Sequence, residues 1–295
     1  VKQDKIIRFI LLVLALTAIS GLVLITVFIF KEGVPLIFRV GFRDFFLSSN
    51  WSPTRDHKFG ILAMIIGSLM VTAGAMLLAG LFGLGCAVVL TQFCPRRLVS
   101  VLKPAIELLA GIPSVVYGFV GVVTLVPLIR NNLGGNGQSV LAASIVLGVM
   151  VLPTVTSISV DALQAVPRAY WEGSIALGAT KWQSTHMVMI RAARSGIVAA
   201  VILGMGRAIG ETMAVIMVAG NALIIPKSIL DPVRTLTSNI ALEMGYAAGE
   251  HRQALFATGV TLFVIIMFLN TIALVVSRRR AAGGKKWRLE RAAKA

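Results

Sequence analysis

Arg207 and Glu211 stand four residues apart inside a run of apolar and small residues, 196–226, that is long enough to cross a membrane. Its centre reads Gly204-Met205-Gly206-Arg207-Ala208-Ile209-Gly210-Glu211-Thr212-Met213-Ala214-Val215. An ionisable side chain at hydrocarbon depth costs about 2.5–3.5 kcal/mol even on lenient insertion scales, so such residues are rare and usually functional. A guanidinium stays charged at physiological pH and offers a planar fork of donors that matches the oxygens of an oxyanion. In a low-dielectric cavity its pull on a doubly charged anion is far stronger than in water. On a continuous helix Glu211 lies one turn beyond Arg207 and within its reach. The pair therefore has two readings: a charged station for a polar solute, or a structural ion pair that cancels two intramembrane charges.

Such a pair needs a membrane-embedded frame, and the composition provides one. Of 295 residues, 57% are hydrophobic and only 14% charged, with a mean hydropathy of +0.88. That balance belongs to a membrane protein rather than to a soluble core. The net charge of +16 does not point to nucleic acid, because the basic residues are segregated. Eight of 28 Lys and Arg follow Ser277, from Arg278 to Lys294, and others gather at Lys2, Lys5 and Arg8, at Arg96, Arg97 and Lys103, and between Arg168 and Arg194. These clusters alternate with less basic segments, as the positive-inside rule requires. The basic tail also suits anionic lipid headgroups. Cys86 and Cys94, the only cysteines, form neither a disulfide framework nor a metal-ligand spacing, and no cofactor is expected.

About 20 apolar residues span the hydrocarbon as a helix. Six segments qualify: about 6–30, 61–90, 104–129, 140–160, 196–225 and 254–277. The first is too long in its apolar stretch for a cleaved leader, and no clear small-x-small site follows it, so it reads as a retained span. The second carries Gly67, Gly74, Gly80, Gly83 and Gly85, which suits close helix packing in lipid. Pro113 interrupts the third and Pro153 lies inside the fourth. An even number of spans puts both termini on one side, and the Lys/Arg distribution makes that side cytoplasmic. In the first outer loop Val34, Leu36, Ile37, Phe42, Phe45, Phe46 and Trp51 suit the membrane interface or a partner. In the last, Leu236, Ile240 and Met244 have helical spacing. No low-complexity linker divides the chain, so residues 1–295 read as a single all-α transmembrane domain.

The cytoplasmic loop, 161–195, contains Val166-Pro167-Arg168-Ala169-Tyr170-Trp171-Glu172-Gly173-Ser174-Ile175-Ala176-Leu177-Gly178. Proline at a helix start, Glu in the first turn and glycine at a break predict two short helices joined at Gly178. Composition leaves two uses open, a cap on the bundle or a knob for a cytosolic partner.

The loop resembles the EAA loop of ABC importer permeases, whose pattern is Glu-Ala-Ala-x-x-x-Gly, nine residues, Ile-x-Leu-Pro. Glu172, Gly173, Ser174 and Gly178 match with small residues in place of both alanines, while Arg191 stands where the proline is expected. Two further stretches, Pro104 to Gly118 and Gly206 to Val215, closely resemble phosphate permeases of the PstC family. Sulfate and molybdate permeases are similar but typically carry Gly-Glu-Phe where this chain has Gly210-Glu211-Thr212, which favours phosphate. The glycines at 204, 206 and 210 are no nucleotide fingerprint, since no strand precedes them, and no Walker-type motif occurs.

The resemblance implies the six-helix bundle of the type I ABC importer permease fold in a bacterial inner membrane. It implies a PstA-like second permease, two copies of a PstB-like ATPase and a PstS-like extracytoplasmic phosphate-binding protein. Under it, Arg207 contacts phosphate, Glu211 orients Arg207 and offsets its charge when the cavity is empty, and Thr212 and Ser114 are hydroxyl partners for the anion. Glu172, Gly173, Ser174 and Gly178 would couple to the ATPase, which alone hydrolyses ATP. An ion-coupled secondary carrier is the alternative from another class, but such folds often show inverted repeats, and none is visible here.

Overall fold

The structure, a computed structural model, describes the backbone of residues 2–292 and the side chains of residues 7–274 apart from Arg96 and Ala273. The basic residues of the tail, with Lys2, Lys5 and Arg96, lie outside the described side chains. Most of the described backbone is helical. Helix α1 (Lys2–Val40) comes first and packs against the last helix, α2 (Phe42–Phe46) follows, and a two-stranded hairpin of β1 (Trp51–Ser52) and β2 (Lys58–Phe59) closes that end. Helix α3 (Leu62–Val88) returns and ends in a π-helical turn, Val89–Phe93. Helix α4 (Arg96–Ala110) stops part-way, and α5 (Ser114–Val120) continues through a second π turn into α6 (Val126–Leu133).

Helix α7 (Val140–Gln164) is the central span. The short helices α8 (Arg168–Ala176), α9 (Lys181–Gln183) and α10 (Ile190–Ala192) project at the loop end, opposite the hairpin. Helix α11 (Arg194–Gly210) and α12 (Met213–Val218) rise again; α13 (Leu236–Glu243) lies at the hairpin end, and α14 (Gly249–Ala292) closes the chain. Among the described residues five helices are long and apolar enough to cross a membrane, and the bent pair Lys181–Ala192 and Arg194–Gly210, inclined at 69°, makes a sixth if it is counted as one span.

Burial of apolar surface does not drive helices together in lipid, so close packing and interhelical hydrogen bonds must. Helices α3 and α7 use both. A Cβ on Gly74 would collide with the Ser144 side chain, and one on Gly83 would come within 3.1 Å of Val155. Across the same seam the hydroxyls of Ser144 and Thr156 donate to the carbonyls of Val71 and Gly83, each at 3.3 Å. Gly80 and Gly85 meet nothing within 4 Å, so only part of the glycine pattern serves this contact.

Helix α1 stands apart from that core. The most apolar window of this span has none of its residues buried, and it leans on α14 through Phe28 against Phe256 and Phe30 against Phe263. A helix apolar all round and uncovered faces lipid or another membrane chain. Its last turns differ from the expected outer loop. The helix runs on through Pro35 to Val40, and Leu36, Phe45 and Trp51 are buried with Phe59, Ile61 and Leu255. These residues therefore seal the hairpin end from inside instead of meeting the interface or a partner.

Candidate functional site

Two interrupted helices and a proline-bearing span define the centre of the bundle. Helix α4 gives way to α5 at Gly111-Ile112-Pro113, α7 contains Pro153, and α11 gives way to α12 at Glu211-Thr212. Breaks inside a membrane are tolerated where the freed backbone is buried in protein or lines a cavity. Arg207, on the last turn of α11, links the first two. Its Nη1 donates to Thr154 Oγ1 at 3.1 Å, and its Nη2 to the Ala110 carbonyl at 3.4 Å. The Ala110 oxygen belongs to the last turn of α4, where unpaired carbonyls carry partial negative charge. Among the described residues no carboxylate forms an ion pair with Arg207, which is half-buried. Among the described residues the guanidinium is thus held by two neutral oxygens, and these engage only part of its five donors.

Glu211 departs from its expected place. The helix stops at Gly210 with Glu211 as its cap (φ −68°, ψ 133°), and although Glu211 lies one turn beyond Arg207, its carboxylate turns forward to the next helix and makes no ion pair with the guanidinium among the described residues. Its Oε1 accepts the Ala214 backbone N–H at 3.3 Å, and its carbonyl accepts the Thr237 hydroxyl at 2.9 Å. The residue starts α12 and ties it to α13. Thr212 spends its hydroxyl proton on the Gly210 carbonyl at 3.2 Å. Ser114 opens α5 and has no hydrogen-bond partner among the described residues. One turn on, a Cβ at Gly118 would lie 2.8 Å from Met217 Sδ and 3.0 Å from Ala214 Cα, so α5 and α12 touch along that face. Ser114 shares that face of α5 by its i−4 spacing from Gly118.

The loop end is built differently. Glu172 is exposed on α8 and lines an open cleft of about 790 Å³ together with Arg168, Trp171, Thr91 and Gln92. Ser174 donates to the Trp171 carbonyl at 2.7 Å and meets the Ser184 hydroxyl, which pins α8 to the π turn that follows α9. Gly178 has φ +85°, the left-handed conformation that ends a helix at glycine, and Gly178 and Ala179 N–H groups close the turn on Ile175 and Ser174. Thr180 and Gln183 then form a reciprocal cap on α9. Leu177 at the tip is 90% exposed. Arg191 replaces the expected proline, and the chain turns at Ala193, where the 69° bend into α11 falls.

Two features lay outside sequence reasoning. Thr154 gave no signal, because its partner is 53 residues away. At the hairpin end, Arg234 Nη1 donates to Glu243 Oε1 at 2.6 Å, and Glu243 Oε2 accepts Trp51 Nε1 at 2.8 Å and lies 2.9 Å from His251 Nε2. The four residues come from β1, the segment before α13, α13 itself and α14. Only the scarcity of charge in the chain could have drawn attention to them.

Comparison with known proteins follows the same geometry. The sequence pattern of the family described as binding-protein-dependent transport system inner membrane component matches residues 79–282. A probable ABC transporter permease protein YqgH of Bacillus subtilis is 43% identical over 280 residues, covering 92% of this chain and 91% of its own. The phosphate transport system permease protein PstC of Mesorhizobium japonicum is 38% identical over 251 residues, covering 78% and 76%. Among solved structures, a bacterial ABC transporter that imports the acidic polysaccharide alginate superposes with a TM-score of 0.62 at 14% identity, over 90% of this chain and 95% of its own. The MetNI methionine ABC transporter, in an inward-facing form, gives 0.58 at 19% over 74% and 96%.

Proposed function

The chain belongs to the binding-protein-dependent transport system inner membrane component family, and from that premise we propose that it is the permease subunit of an ATP-driven phosphate importer. It has the type I ABC importer permease fold and is a multi-pass inner-membrane protein that works with an ATPase and a substrate-binding protein. The finer assembly we propose is a PstA-like second permease beside it, two copies of a PstB-like ATPase below and a PstS-like phosphate-binding protein outside. Both termini and the loop 161–195 then lie in the cytoplasm, and residues 1–295 act as one permease domain.

The observation that carries the substrate reading is Arg207, half-buried inside a membrane-spanning helix and held, among the described residues, by the Thr154 hydroxyl and the Ala110 carbonyl. Neutral acceptors fix the guanidinium without neutralising it, so an arriving phosphate finds both its charge and free donors. A station in a pathway must also release its ligand, and a single arginine with hydroxyls does so more readily than a closed cage. Ser114 and Thr212 serve as hydroxyl neighbours of the anion on the faces where α5 and α12 meet. Glu211 serves the pathway by starting α12.

Coupling runs through Glu172, Gly173, Ser174 and Gly178, with the exposed Leu177 between them as the apolar tip. Closure of the ATPase pair moves α8 to α10, and the bend at Ala193 passes that motion into α11, which carries Arg207 at its far end.

The test is uptake of labelled phosphate by the whole complex, with its ATPase and binding protein, in liposomes. Arg207→Gln should assemble normally and lose ATP-driven uptake. Uptake at the normal rate would remove Arg207 from the pathway. Competition that favours sulfate or molybdate over phosphate would overturn the substrate.

A further inference from the structure

We propose that Thr154 is the positioning residue for Arg207: its hydroxyl aims the guanidinium into the pathway while leaving the charge uncancelled. The inference rests on the reading of Arg207 as the phosphate contact. It starts from a departure from the habit of most of this chain's helical threonines. Inside a helix a threonine hydroxyl usually donates to the carbonyl four residues back. Thr17, Thr26, Thr91, Thr124, Thr258 and Thr271 all do so, at 2.7–2.9 Å. Thr154 does not; its one hydrogen bond among the described residues is the one it accepts from Arg207.

Pro153 precedes it inside the continuous helix α7, and its missing N–H leaves the Val149 carbonyl without its helical donor. Thr156, two residues on, is used for packing, since its hydroxyl donates across to α3 at Gly83. The two hydroxyls thus serve opposite neighbours, Thr156 holding α3 and Thr154 holding the arginine of α11.

The chemistry of the acceptor matters as much as its position. A carboxylate here would pair with Arg207, and phosphate would have to displace it. An apolar side chain would leave one Nη without a partner and free the side chain to swing about its long stem. A hydroxyl fixes the direction and gives way to a stronger, charged acceptor when one arrives. The Ala110 carbonyl, at the end of α4, is the second fixed point.

The experiment measures phosphate uptake by the assembled complex carrying Thr154→Val, Thr154→Ser or Thr154→Glu, beside Arg207→Gln, with assembly checked by size exclusion. Thr154→Val keeps the shape and should lower the uptake rate about tenfold, the scale of one lost hydrogen bond to a charged group. Thr154→Ser should restore it, and Thr154→Glu should abolish it in an intact complex. If Arg207→Gln loses uptake while Thr154→Val works at the normal rate, positioning by Thr154 is refuted and the role of Arg207 stands. If Thr154→Ser is as impaired as Thr154→Val, the hydroxyl is not the cause and the proposal falls. If Arg207→Gln itself transports normally, the site and the proposal fall together.

Discussion

The Glu211 carboxylate accepts the backbone N–H of Ala214 at 3.3 Å, and so caps the helix that begins two residues later at Met213. First-turn N–H groups have no partner within their own helix, and a carboxylate there both satisfies one and complements the helix dipole. This ties the fate of α12 to one side chain inside the bundle. It also leaves Arg207 without a carboxylate partner among the described residues.

Glu211→Gln and Glu211→Ala should therefore behave differently. The amide of Gln keeps an acceptor for Ala214, so uptake should stay within a few-fold of the unmodified chain. Alanine removes the cap, a change worth about 1 kcal/mol at helix starts and more where water is excluded. Uptake and thermal stability in detergent should both fall for Glu211→Ala. Equal loss in the two variants would mean that the charge of Glu211, and not its capping oxygen, is what transport needs.

At the hairpin end, the Arg234–Glu243 pair has side chains only 16% and 9% exposed, and Trp51 and His251 complete the carboxylate's contacts. Removing one partner of a buried pair strands the other charge, at a cost of about 3–5 kcal/mol. Glu243→Ala should accordingly lower the melting temperature of the detergent-solubilised chain sharply. Arg234→Met combined with Glu243→Leu should recover much of the loss, because no charge is then buried alone. Comparable melting of the double and single variants would contradict this account.

Glu172 is exposed on α8 and makes no ion pair among the described residues, so Glu172→Lys should leave folding untouched. The expected outcome is ATP hydrolysis without matching phosphate uptake. Measuring both rates on one liposome preparation checks it, and a normal ratio of transport to hydrolysis would take Glu172 out of the coupling surface.

The apolar runs around α3 and α7 announced themselves because every residue of a span must suit lipid or close packing. Pro113 likewise marked the break before α5, since proline cannot continue a hydrogen-bonded turn. The break after Gly210 was not legible. Glu211, Thr212 and Met213 are all tolerable in a helix, and it is contacts such as those with the Thr237 hydroxyl and the Ala214 N–H that fix the chain where it turns. Trp51 misled for a related reason. An aromatic next to a span reads as an interfacial anchor, yet its indole finds a carboxylate 192 residues away. Local pattern carries spans and stops, whereas partners distant in sequence are decided by the packed bundle.

Gly74 and Gly173 offer a final discrimination, because glycine serves a different purpose at each. A Cβ at Gly74 strikes the Ser144 side chain across the α3–α7 seam, and backbone on both sides is fixed by helical hydrogen bonds. Gly74→Leu should separate the two central helices and destabilise the chain, overpacking of this kind costing about 1–3 kcal/mol or more. At Gly173 a Cβ meets nothing within 4 Å, so the isolated chain sets no limit on size there. Any demand for a small residue must come from what covers α8 in the complex. Gly173→Leu should thus fold and melt as the unmodified chain does, yet fail to retain the ATPase on an affinity column. If it retains the ATPase and transports normally, the surface around Gly173 is not where the ATPase sits.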